Sequence, residues 1–527
     1  LLDSRRAYEL ELMPGLNTFS GRFETVCVGF GDESKLGAAE IIVGPPRRCT
    51  RPGEVGPELF GLTAGFCTAV RRCMCGAHNA LCTRHGTIQP PVTTRFEQFY
   101  KFLDDIGFDV RLEYEFLYEH YEANWIFKWD RGKRCAIQRD QDERSSLPGE
   151  VASFVKFELY TKIMEKARLI QANKNYVSQA AAGPECTALQ KAYTKVLRRR
   201  REGPDIRVTF ASGLNSLELG HWMEEVLADR PGCSFYERDG KSWDATMQRP
   251  HHDLKMYAYR FATDLFRGII ESGYDVVGHV DMGRGRAEPS YMKYRLVGTT
   301  KSGHNDTTLG NSIINAGIAY EVMFRLGLRG DIIVAGDDLL VAVDGDFDAD
   351  QFAACEREFG IIPEYRKFTT YKSVSFISGL WVPQDGEGRL VFIPKPGRQF
   401  AKLFWSLKRL TPRQVDDYVH SIAVCLTPVC GGLPVLGTFI AAHDRKGSIV
   451  PLEGKYYLHR GVSPIEYEPV TILEYFCERY QTSPAEISEL EALIRANSGR
   501  VGILVHPLFQ RMVQVDTCDI EEREDQL

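Results

Sequence analysis

Three aspartates stand where apolar runs end. Asp239 closes "CSFYERD", and Asp337 and Asp338 sit side by side inside "IIVAGDDLLVAV". Adjacent carboxylates repel one another, while aliphatic residues on both sides predict strands buried on both faces. A turn at Gly336 and Asp337 would fold those strands into a hairpin and aim the acids into a groove. Taken alone, "GDD" reads as a surface turn, because Gly and Asp are common turn residues. The apolar flanks argue against that, since unpaired charges in a groove are costly without a cation. With Asp239 as a third acid, the set suits two Mg²⁺ or Mn²⁺ ions, hard cations that take oxygen ligands and retain waters and phosphates. Two such ions about 4 Å apart can activate a hydroxyl and stabilise a leaving pyrophosphate. The chemistry indicated is nucleotidyl transfer.

Between the acids lies "SGHNDTTLGN". It predicts a Ser302-Gly303 loop followed by a helix. The loop can flex, and its amides can touch a base or phosphate. Thr307 and Asn311 are four residues apart and share a helix face. Asn311 carries both donor and acceptor, so with Asp244 it could read a ribose hydroxyl. Asn305 or Asp306 is expected to cap the helix.

These groups need elements to hold them. "CSFYE" is expected as a strand, "LKMYAYRFATDLFRGIIES" as one long amphipathic helix, "DIIVAGDDLLVAV" as a strand pair, and "ADQFAACEREFG" as a helix. "VSFISGLWVP" reads as strand and turn. Beyond about residue 400 the pattern is helical, ending in the acidic tail "DIEEREDQL", expected to be disordered. Upstream, Lys156, Lys162, Lys166, Arg168 and Lys174 punctuate a strand-like segment, as a solvated face or as cations over a groove. "FKWDRGKR" is expected to end a helix with Arg131, Lys133 and Arg134, where cations suit the dipole. Arg198 to Arg201 point all around a helix and suit only a diffuse role towards phosphates.

The chain has 527 residues, 43% hydrophobic and 26% charged, with net charge −6. That length predicts several domains or one multi-lobed body. The charge excludes a protein coated in basic residues but not a local basic channel. No apolar run reaches the roughly 18 residues of a membrane span, and no signal peptide is seen. The first residue is Leu1, which suggests a fragment or a processed product. Fourteen scattered cysteines fit reduced thiols. One cluster, Cys73, Cys75, His78, Cys82 and His85, could supply four zinc ligands, or be buried thiols beside a loop.

The order D-x4-D, S-G-x3-T-x3-N, G-D-D resembles motifs A, B and C of viral RNA-dependent RNA polymerases. "VKFE" with "KARLIQ" resembles motif F of the tombusvirus-like and nodavirus-like enzymes of positive-strand RNA viruses, and "FKWDRGKR" is similar to motif G. The resemblance covers about residues 125 to 405. One departure is Trp243 before Asp244, where Arg or Phe is usual.

The resemblance implies an α+β right-hand fold: fingers, a palm on an antiparallel sheet, and a helical thumb. Residues 1–95 would be an N-terminal extension or fingers, and 96–230 fingers. Residues 231–385 would form the palm, with a fingers insertion near 265–295, and 386–527 the thumb and tail. It also implies that Asp239 and Asp337 bind the metals, with Asp338 supporting. Lys156, Lys166 and Arg168 would hold the triphosphate, and Ser302, Gly303 and Thr307 the nucleotide and template base. Asp244 and Asn311 would select ribose. Lys367 would protonate pyrophosphate, with Arg366 and Lys372 as rivals. "VSFISGLW" would be the primer grip. Expected partners are template and nascent RNA, rNTPs, and other viral replication proteins or a membrane anchor outside this chain. The expected place is the host cytoplasm, at virus-induced membranes. A reverse transcriptase and a non-catalytic RNA-binding scaffold are the competing readings.

Overall fold

The computed structural model describes residues 57–69, 89–143, 150–156, 158–160, 168–173, 176–199, 205–281, 291–450 and 462–517, the strands Glu24–Val28 and Ala39–Val43, and a few isolated positions. The Cys73–His85 ligand candidates, Lys162, Lys166, Lys174, Arg200, Arg201 and the acidic tail lie outside the described residues. Helices and sheets are mixed along the chain, as in an α+β protein.

A five-stranded sheet is built from β1 (Ile206–Phe210), β2 (Ser234–Gly240), β3 (Gly330–Ala335), β4 (Asp338–Val343) and β5 (Pro363–Phe368), in the order β5-β2-β4-β3-β1. The β3–β4 pair is the expected hairpin, with Ala335 opposite Asp338. The sheet is antiparallel except at one edge, where β1 runs parallel to β3. A parallel neighbour needs a long crossover, and here helices and β2 intervene between the two strands.

Both faces of this sheet are covered, which accounts for the unbroken apolar runs. Ile332, Val334, Leu339 and Val341 pack with Tyr236 against helices α1 (Thr307–Arg325) and α2 (Ala349–Arg357). Ile333, Leu340 and Ala342 pack with Phe235 on the other face, against Trp222 and Trp381. Trp222 comes from helix Ser216–Asp229, capped by Asn215 and Glu218 acting reciprocally. Trp381 comes from the hairpin of β6 (Gly379–Pro383) and β7 (Leu390–Pro394). At the base of β3, Asp331 takes Arg207 Nε at 2.5 Å and Arg230 Nε at 2.5 Å, all three side chains largely buried.

A six-stranded sheet joins distant stretches: Glu24–Val28, Ala39–Val43, Glu150–Val155, Leu169–Asn173, Asp275–Asp281 and Tyr291–Val297. C-terminal helices form a third core. The segment 57–69 ties these regions together: Leu59 pairs with Trp405, Leu62 with Gly502, and Thr68 with Tyr160.

Two helical expectations are corrected. The long helix is two helices, Arg249–Ala258 and Asp264–Ser272. The break occurs because buried Glu185 takes the Thr263 amide at 2.8 Å and its hydroxyl, fixing an extended N-cap. Arg131, Lys133 and Arg134 open a helix, Arg131–Glu143, rather than end one. A 3-10 turn at Trp125–Lys128 terminates the preceding helix. Lys133 Nζ lies 3.7 Å from the centre of the Trp129 ring, so π contact rather than the dipole accommodates that charge.

His443 carries a pH prediction. It is fully buried, donates from Nδ1 to Phe439 O at 2.6 Å and accepts the Leu62 amide at Nε2 at 2.7 Å. Burial, with Arg445 adding to it, pushes its pKa down to about 4 against the Phe439 bond. A depressed imidazole contributes stability that is complete above its ordinary value of about 6.5 and is lost as pH falls towards 4. The melting temperature should therefore fall between pH 6.5 and 4, with a shallower slope in His443→Gln. An equal slope in both proteins would refute this role.

Candidate active site

Alternation along β2 sends Glu237 and Asp239 to one face and Tyr236 and Arg238 to the other. Asp338 begins β4 on the Asp239 face, and Asp337 occupies the turn. Gly336 precedes it at φ +69°, a left-handed conformation that glycine takes without strain. Ser312 accepts the Gly336 amide at 2.8 Å, and Asn315 donates to the carbonyls of Gly336, Asp337 and Asp338 at 3.0, 3.0 and 3.2 Å.

The three acids open into one cavity of about 350 Å³, with Glu237 and Glu364 on its wall. Arg168, Lys395 and Arg398 also line it. Burial pushes Asp239 up to about 6, helped by Asp337 and Glu364 and opposed by Arg238 and Arg168. Asp338 is open to the cavity but closely surrounded by protein. Burial, with Asp337, Asp239 and Glu237, drives its pKa upward against Arg398. For Arg168, burial works against the charge, but Glu158, Tyr160, Asp337 and Asp239 outweigh it.

Among the described residues, no three His, Cys, Asp or Glu side chains are gathered tightly enough to hold a metal by themselves. The acids nevertheless fit hard divalent cations. They are carboxylate oxygens crowded at one cavity, and ions of this kind fill their shells with waters and substrate phosphates rather than an all-protein cage.

Other sequence candidates fall as follows. Glu158 joins Lys156, at 2.7 Å, to Arg168, at 3.8 Å. Asn311 Nδ2 lies 3.4 Å from Asp244 Oδ1, and Thr300 donates to Asn311 Oδ1 at 3.3 Å. The Ser302-Gly303 loop is tied down: Ser302 donates to Leu169 O at 3.0 Å and Gly303 N to Gln171 O at 3.0 Å. A Cβ on Gly303 would lie 2.6 Å from Gln171 O, so only glycine allows this approach. Thr307 donates to Lys301 O and His304 O, both at 2.9 Å. None of Asp244, Ser302, Gly303, Thr307 or Asn311 lines the acid cavity itself. Asp306 occupies the N-cap position without a capping bond, because its carboxylate pairs with Lys255 at 2.9 Å. Arg198 pairs with Glu218 and Arg199 with Glu113.

Lys367 is not brought to the acids. It pairs across β2 with Tyr236, on the opposite face from Asp239, and its ammonium is held by Asp346 and the Phe347 carbonyl. Arg366, opposite Glu237, is on the acid face, while Lys372 pairs with Glu478 at 2.6 Å. Sequence reasoning missed Arg238, Asn315 and Glu356. Only Asn315 had a signal, four residues after Asn311 on the same helix. The turn expected in "VSFISGLWVP" falls at Ile377 and Ser378, with φ +40° and +63°; what sequence reasoning missed is that it lines the cavity.

Residues 289–366 match a family model described as viral RNA-directed RNA-polymerase. The matched stretch contains "SGHNDTTLGN" and "GDD". This chain is similar to the viral RNA-directed RNA polymerases. An RNA-directed RNA polymerase of Groundnut rosette virus (strain MC1) is 22% identical over 258 residues, 45% of this chain and 28% of that protein. A protein of Barley yellow dwarf virus (isolate PAV), named provisionally for the same activity, is 24% identical over 157 residues, 29% of this chain and 18% of that protein. The alignments thus span under a third of either relative. The polymerase-like match begins after Asp239, so that acid joins the matched motifs through the β2–β4 pairing.

Proposed function

We propose that this chain is an RNA-directed RNA polymerase that copies a viral RNA genome from rNTPs. The observation that carries the reading is the meeting of Asp239, Asp337 and Asp338 at one cavity walled by Arg168. In this reading Asp239 and Asp337 hold two Mg²⁺ or Mn²⁺ ions, and Asp338 supports them. When bound, such ions activate the attacking 3′-hydroxyl and neutralise charge on the departing pyrophosphate. Arg168 binds the triphosphate, and Lys156 is tied to it through Glu158. The Ser302-Gly303 loop and Thr307 position the nucleotide and template base.

The architecture proposed is the right hand, with the five-stranded sheet as palm, the "VSFISGLW" segment that leads into β6 as primer grip and the C-terminal helices as thumb. Template and nascent RNA are the macromolecular ligands, and other replication proteins or an anchor beyond these residues are further partners. Among the described residues no helix is long and apolar enough to cross a membrane. The host cytoplasm, at virus-induced membranes, is the proposed site of action.

Primer extension on an RNA template with Mg²⁺ tests the reading. rNTPs should be incorporated and dNTPs rejected; equal use of dNTPs, or no synthesis, would overturn it. The Asp244–Asn311 pair is assigned to the ribose 2′-hydroxyl. Asp244→Ala should lower the preference for rNTPs over dNTPs by about tenfold or more, the worth of one hydrogen bond of about 1.4 kcal/mol. Steady-state constants for paired rNTP and dNTP substrates measure this.

A further inference from the structure

Behind the acid turn lies a buried polar network with no direct place in the proposed chemistry. Arg238, Asn315 and Glu356 are all at most 2% exposed. Arg238 follows β2 onto the helix face, directly behind Asp239. Its Nε donates to Glu356 Oε1 of α2 at 3.1 Å, its Nη2 to Asn315 Oδ1 of α1, and its Nη1 reaches Asp337 O at 3.5 Å. Tyr236 donates to the second Glu356 oxygen at 2.6 Å. The guanidinium also lies 5.0 Å from the centre of the Trp243 ring, next to Asp244. With its oxygen claimed by Arg238, the Asn315 amide can turn only its NH₂ to the acid turn, where it meets three successive carbonyls.

We propose that Asn315, oriented by the Arg238–Glu356 ion pair, is a positioning residue that sets the Gly336–Asp338 turn for catalysis. The inference rests on the polymerase reading above. Three carbonyls directed back into the protein fix the backbone from which the Asp337 and Asp338 side chains emerge. Tight packing alone does not call for such a network. A buried ion pair costs much desolvation, and apolar side chains of similar volume often serve a core as well or better. Orientation is what apolar packing cannot supply, because only directed donors can select one rotation of each peptide.

Asn315→Leu keeps the volume and removes both the donor and the acceptor. It is expected to lower kcat for primer extension by about a hundredfold, the scale of a displacement of about 1 Å at reacting groups. KM for rNTPs and RNA affinity should stay within about twofold, because the substrate contacts are elsewhere. Hydrogen exchange of the peptide covering the acid turn should accelerate at least about tenfold, with the flanking strands unchanged. Arg238→Lys keeps the charge but loses the fork. It should act in the same direction, and the double variant should lose little more than the worse single one, as expected of residues working as a unit.

A folded Asn315→Leu protein with kcat within twofold of the parent would overturn the proposal. So would a loss of exchange protection throughout the central sheet, which marks a merely structural role. If the parent makes no RNA, the polymerase reading fails by itself, and the exchange measurement still decides whether Asn315 sets the turn.

Discussion

Asp337→Asn is expected to lower RNA synthesis by at least about a thousandfold, a loss of several kcal/mol of transition-state charge stabilisation. The change is isosteric, and the turn is held through backbone carbonyls by Asn315 rather than through the Asp337 side chain. Fold and RNA binding should therefore survive. The melting temperature of the variant should match or exceed that of the parent, because Asp337 contributes to the upward pKa shifts of both Asp239 and Asp338. Removing one of three crowded acids relieves repulsion that an active site tolerates for its chemistry. Primer extension, RNA binding and melting of the two proteins together test the proposed role. Synthesis within tenfold of the parent would remove Asp337 from the metal-binding set.

The largest loss of stability is expected from Asp331→Ala. Its carboxylate takes Arg207 at two points, 2.5 and 2.8 Å, and Arg230 at 2.5 Å. Arg207 keeps Asp229 as a second partner. Arg230 keeps a long contact to Asp205 O, 3.4 Å. A buried cation stripped of its carboxylate costs about 3–5 kcal/mol. The melting temperature should drop by about 5 °C or more. Asp331 lies at the far end of β3 from the acid turn, so protein that remains folded should keep its kcat. A drop of under 1 °C would show that water or a neighbouring acid replaces the lost partner.

The acid hairpin was legible because a strand buried on both faces leaves an unbroken aliphatic run, and "IIVAGDDLLVAV" has one on each side of its turn. The shared face of Thr307 and Asn311 was legible because helical spacing is local. The split helix at 259–263 was not, since its cause is Glu185, distant in sequence, binding Thr263. Nor was the helix that Arg131, Lys133 and Arg134 open, because nothing local marks the 3-10 turn before them.

The amino-acid sequence by itself determined the chemistry available: three acids at strand ends, an Asp and Asn suited to a hydroxyl, cations on a strand, and the order in which they occur. Residue types and short-range periodicity carry that information. Only the tertiary structure decided which side chains face the cavity. Strand register turned Lys367 away towards Asp346 and put Glu364 opposite Asp239. Packing buried Arg238 behind the acids instead of beside them. A strand residue points to one face or the other according to a pairing set by chain far away, and a register shift of one residue would reverse every such assignment.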